Sequence, residues 1–124
     1  MIGYQSHRAI VVTGWQNEVL QEAHAEAVKC FDGTCAFVTE VTKETMNGFA
    51  SFMVAPDGSK EGWSESDKSD ESAARFIEFL NGLRYEDGSS KLDWVYIRFS
   101  DNHFKSEVLR ASDMEPQDIK SREE

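Results

Sequence analysis

The sequence predicts an α+β domain built on a single antiparallel sheet. Three observations carry that expectation. Short runs rich in β-branched and aromatic residues alternate with two longer segments of helical periodicity, and glycine-containing turns separate them. A chain of 124 residues has the length of one domain, and buries roughly two-thirds of its unfolded surface around one core.

The first run, Ala-Ile-Val-Val-Thr at 9–13, is apolar on both sides and reads as a central strand ended by Gly14. Asn17 is placed to cap a helix whose Leu20, Ala23, Ala27, Cys30 and Phe31 follow a helical repeat, with Gly33 where a C-terminal cap belongs. Residues 37–42 and 49–54 are two strand-like runs, and Asn47-Gly48 between them tolerates the positive φ of a hairpin turn. Pro56-Asp57-Gly58 then turns the chain into a polar loop. Ser69 is placed as the N-cap of a second helix, whose Ala73, Phe76, Ile77, Leu80 and Leu83 form the clearest apolar stripe in the chain. Asp87-Gly88 makes a further turn, 94–100 reads as the last strong strand, and Phe104, Val108 and Leu109 could add a short element.

The resulting order, β-α-β-β-α-β, is that of the ferredoxin-like sandwich: a four-stranded antiparallel sheet with two helices on one face. Strands one and three should be central and the fourth should lie at an edge. With Val95, Ile97 and Phe99 directed at the helices, Trp94, Tyr96 and Arg98 are expected on the open face. The domain is expected to span 1–111, followed by an acidic, flexible tail over 112–124.

The formal charge is −10 at pH 7, which argues against general affinity for nucleic acid or anionic membranes. Much of that excess is local. From Lys60 to Glu71, five acidic and two basic residues give −3, and from Asp113 to Glu124 the same counts give another −3. No segment has the roughly 20 apolar residues of a membrane span, and no signal pattern opens the chain. A cytoplasmic protein with free thiols at Cys30 and Cys35 is therefore expected, since their spacing is neither a CxxC redox motif nor a zinc ligand set.

No catalytic constellation, metal site or cofactor motif is legible. His7, His24 and His103 sit in separate elements without ligand spacing. His24, between Glu22 and Glu26, is expected on the solvated side of its helix. Gly58-Ser59 and Gly88-Ser89 are turn sequences rather than nucleophile elbows. The stretch Gly58-Ser59-Lys60-Glu61-Gly62-Trp63 lacks the ending of a P-loop, and its acidic surroundings oppose phosphate.

The segment Asn47-Gly48-Phe49-Ala50-Ser51-Phe52 resembles the third-strand signature of the RNA-recognition motif family. Asn47 stands where that family has a basic residue, and Ser51 sets Phe49 and Phe52 on opposite faces, so both cannot stack bases. Nucleic acid binding is not expected. Ser6-His7-Arg8-Ala9-Ile10-Val11-Val12-Thr13, Gly48-Phe49-Ala50-Ser51-Phe52 and the 55–63 loop are together similar to small uncharacterised proteins of tailed phages and prophages, over about Ser6 to Phe99. That resemblance implies an accessory protein in a bacterial host's cytoplasm and brings no catalytic residues with it.

The sequence thus points to a non-enzymatic binding module that engages a host or defence protein, or a second copy. Trp94, Tyr96 and Arg98 would form the contact face, and Tyr96→Glu would abolish the complex without unfolding the domain. The alternative is a small-ligand or nucleotide-binding protein, with Trp15, Lys60, Glu61, Trp63 and Arg98 around a pocket at one sheet end.

Overall fold

The computed structural model describes residues 8–58, 64–99 and 105–114. Among them the chain forms a mixed α+β fold, with two α-helices packed on an open, five-stranded antiparallel sheet. The elements are β1 (Arg8–Gly14), α1 (Asn17–Cys30), β2 (Phe37–Val38), β3 (Ala50–Ala55), α2 (Ser64–Gly82), β4 (Asp93–Arg98) and β5 (Glu107–Ala111). Across the sheet they run β2-β3-β1-β4-β5. The sheet therefore has one strand more than the four expected, because Glu107–Ala111 pairs with β4. That pairing removes β4 from the edge.

One hydrophobic cluster joins both helices to the same face of the sheet. Ile10 and Val12 of β1, Phe52 and Val54 of β3, and Leu20, Ala23 and Ala27 of α1 meet Phe76, Ile77 and Leu80 of α2. Phe76 is fully buried, with the rings of Phe31 and Phe52 each 6.3 Å away, centre to centre, and Phe79 at 6.4 Å. These distances suit edge-on, tilted and offset aromatic contacts.

Helix α2 starts at Ser64 rather than after Ser69. Ser66 and Ser72 are buried on the helix, so small serines continue a stripe that hydrophobicity alone did not reveal. Glu65 and Asp67 occupy the first turn, where the helix dipole favours negative charge. The Ser69 hydroxyl is turned to the Asp57 carboxylate instead of capping the helix.

Strand β2 is shorter than expected because two threonines replace its ladder. Thr39 N–H donates to the Met53 carbonyl at 2.9 Å, and the Thr39 hydroxyl accepts from Met53 N–H at 2.9 Å. Thr42 makes the same pair with Ser51, at 2.9 and 3.1 Å. Side-chain hydroxyls thus satisfy the outer edge of β3, which would otherwise template further strands. The hairpin closes through Asn47 (φ 59°) and Gly48 (φ 74°), the left-handed conformations the sequence suggested.

Gly14 is required for another reason. A Cβ built there would lie 2.5 Å from Leu92 Cδ2, and Leu92 is itself 2% exposed. Gly14→Ala is expected to cost about 1–3 kcal/mol by overpacking, read as a lower urea midpoint. An unchanged midpoint would mean that Leu92 does not close over the end of β1.

Candidate functional site

Strand register decides what each face of the sheet carries. Ile10 lies opposite Tyr96 and Val12 opposite Trp94, so these aromatics share the helix-covered side with the core of β1. Trp94 is 4% and Tyr96 9% exposed. This reverses the expected parity of β4: Trp94, Tyr96 and Arg98 do not look out from the open face, and Val95 and Ile97 do. Both sides of β4 are apolar, so alternation alone could not choose between them. The larger aromatics bury the most area when they face the helices. The Trp94 indole N–H is buried there without a hydrogen-bond partner among the described residues.

The polar ends of that buried row belong to the fold. Arg8 donates to the Tyr96 hydroxyl at 3.1 Å and lies 3.6 Å from the Asp70 carboxylate on α2. Arg98 pairs with Glu107 across β4 and β5. Arg8, Asp57, Ser66, Ser69, Asp70 and Tyr96 border a crevice of about 30 Å³, enough for one or two water molecules and far too small for a nucleotide.

Of the residues expected around the alternative pocket, Trp15 and Arg98 lie at opposite ends of β1. Arg98 lies opposite Arg8 at one end of β1, whereas Trp15 follows Gly14 at the other. Seven residues of extended chain separate these ends by roughly 23 Å. Trp15 is 59% exposed rather than packed on the core. Lys60, Glu61 and Trp63 lie outside the described residues, as do His7, His103 and Phe104.

The face opposite the helices is formed by Val11 and Thr13 of β1, Ser51 and Met53 of β3, Val95 and Ile97 of β4, and Val108 of β5. At its margins Phe37, opposite Ala55 on this side, is 65% exposed, and Phe99, just past β4, is 44% exposed. The polar members of its interior satisfy each other. Ser51 Oγ donates to Thr13 Oγ1 at 2.8 Å, and Thr13 Oγ1 donates to the Ala50 carbonyl at 3.2 Å. Covering this face would therefore strand neither hydroxyl. Val11, Val108 and Phe37 were not expected there from the sequence, although once the parity of one strand is known the register fixes the rest.

Where β1 ends, the face deepens into a groove of about 720 Å³. Val11, Val95 and Val108 floor it, Met114 lies beside it, and Asp93 and Asp113 are its charged groups among the described residues. Ser112 N–H donates to the Trp94 carbonyl at 3.0 Å, which brings Asp113 alongside the start of β4 and Asp93.

Among the described residues, neither cysteine nor histidine chemistry converges on this face. His24 is not on the solvated side of α1: its Nε2 lies 2.9 Å from the Thr39 carbonyl, and its ring meets Phe52 edge-on at 5.1 Å. One helical turn beyond Leu20, it packs at the margin of the core stripe. Cys30 and Cys35 are free thiols, the first buried and the second exposed. Burial, and then the neighbouring Glu26 carboxylate, push the Cys30 thiol above its ordinary pKa, so it is a poor nucleophile. Among the described residues no group of three or more His, Cys, Asp or Glu is arranged to hold a metal, and no helix is long and apolar enough to cross a membrane. No protein-family model, curated protein or solved structure matches the chain.

Proposed function

We propose that this chain is a non-enzymatic binding module that self-associates through its open sheet face. The observation carrying this reading is the apolar surface of Val11, Met53, Val95, Ile97 and Val108, which no helix among the described residues covers. We further read the β2-β3-β1-β4 order as a ferredoxin-like arrangement extended by β5. Two free thiols suit a reducing cytoplasm, and a bacterial host's cytoplasm is the setting that the phage resemblance implies.

Five strands about 4.8 Å apart and about five residues long give a footprint on the order of 400 Å². Side-chain relief and the marginal aromatics bring this to roughly 600 Å² per copy, the low end for a specific interface. Association in the micromolar range follows, with the two sheets packed face to face. Because each copy carries a charge of −10, added salt should strengthen the dimer by screening repulsion. Solution mass measured from low micromolar to near-millimolar concentration tests the reading. A rise toward twice the monomer mass, larger in high salt, supports it; a monomer at every concentration and salt overturns it.

A further inference from the structure

The outer edge of β3 is closed by a segment that is not a strand. Thr39, Thr42 and Thr45, three residues apart, meet Met53, Ser51 and Phe49, two residues apart. At the first two, the threonine N–H donates to the β3 carbonyl and the threonine hydroxyl accepts from the β3 N–H. The side chain thus stands where a ladder would use the backbone carbonyl. At the third, the Thr45 N–H and hydroxyl both donate to the Phe49 carbonyl, at 2.7 and 3.1 Å. The Thr39 carbonyl, freed from any ladder, accepts from His24 Nε2 at 2.9 Å. The segment is otherwise shallow: Glu40 and the residues from Thr42 to Met46 are exposed, and Val41 anchors it to the core cluster.

Beneath this segment β3 runs Ala-Ser-Phe-Met-Val-Ala, without charge or proline, a composition that pairs edge to edge when uncovered. The opposite edge of the sheet, β5, carries Glu107 and Arg110 and a register shift against β4, both of which discourage an added strand. We propose that the 39–45 segment is a detachable strap whose threonine hydroxyls keep a second copy of the chain from adding to the β3 edge. The chain itself is the strand excluded, because the edge is self-complementary. Ser51 and Met53 both turn their backbone groups outward. An antiparallel β3–β3 pair centred on Phe52 would therefore set Ser51 of each copy against Met53 of the other, exchanging both bonds. The strap, spaced by threes, offers no matching ladder. With Val41 as its apolar anchor it opens locally while the core stays folded. This edge is distinct from the open face, and Ile97→Glu separates the two.

The test is Thr39→Val/Thr42→Val, which keeps the side-chain shape and removes both hydroxyl acceptors, made in the Ile97→Glu chain so that the open face plays no part. A failure of the open-face reading leaves the comparison intact. Native-state hydrogen exchange should show the Ser51 and Met53 amides exchanging about tenfold faster or more, the scale of a lost hydrogen bond, with Phe52 unchanged. Thr42→Val alone, at an exposed position, should show the same effect at Ser51 without burdening the fold. Solution mass should rise toward a dimer with concentration for the double valine variant, while Thr39→Ser/Thr42→Ser, which keeps the hydroxyls, stays monomeric. Unchanged exchange at Ser51 and Met53, or a valine variant that exchanges faster yet stays monomeric at near-millimolar concentration, overturns the proposal.

Discussion

Ile97→Glu should give a folded chain that stays monomeric, while Tyr96→Glu, one residue earlier on the same strand, should be strongly destabilised. The contrast follows from parity. Ile97 is half-buried on the uncovered side of the sheet, where a glutamate can reach water. Its cost to the fold is expected to stay within about 1 kcal/mol, a difference of strand propensity and partial burial. In a self-associating chain the same carboxylate would be pressed against the apolar face of a second copy, losing its hydration without a partner. Tyr96 instead sits in the core, 9% exposed, and its hydroxyl accepts from Arg8. A glutamate there loses the ring's packing and places a carboxylate near Asp70, which already pairs with Arg8. A cost of about 4 kcal/mol or more is expected, a large part of the roughly 5–15 kcal/mol that stabilises a typical domain. Circular dichroism and solution mass on the two variants read both effects. A Tyr96→Glu chain that melts like the wild type would restore the opposite parity of β4.

Phe76→Ala should produce the largest loss of stability among single truncations of the core. The side chain is fully buried, and Phe31, Phe52 and Phe79 surround it. It is the point at which α2, the end of α1 and the central sheet meet. Removing it forfeits the transfer of a whole ring and leaves a cavity walled by other aromatics that cannot readily collapse. About 3–5 kcal/mol is expected, a fall in Tm on the order of 10–20 °C for a domain of this size. Phe79→Ala, at a partly buried position against the same cluster, should cost less. Equal melting temperatures for the two variants would contradict the central place of Phe76.

Most of the fold was legible because periodicity reports burial. The stripe of Ala73, Phe76, Ile77 and Leu80 located α2, and Asn47-Gly48 located the hairpin. What periodicity missed has physical causes. The two threonines that satisfy the edge of β3 read as ordinary strand residues, although their hydroxyls take the place of backbone ladder bonds. Ser66 hid the first turn of α2, because a small polar residue can be buried without registering as apolar. The fifth strand, Glu107–Ala111, mixes charge with apolar residues and shows no clean alternation, as suits an edge. The candidate site was less legible. An open apolar sheet face could be inferred from two helices and a sheet, but its residues could not. Strand β4 is apolar on both sides, and only its pairing with Ile10 and Val12 of β1 shows which side the helices cover.

The most direct test of the binding face is a methyl NMR dilution series with assigned valine, isoleucine and methionine resonances. Diluting the wild-type chain should shift the methyls of Val11, Met53, Val95, Ile97 and Val108 together along one binding curve, leaving Val12, Val54 and Ile77 in the core nearly still. No concentration dependence at the first group, or shifts confined to the outer surfaces of the helices, would contradict self-association through the open sheet face.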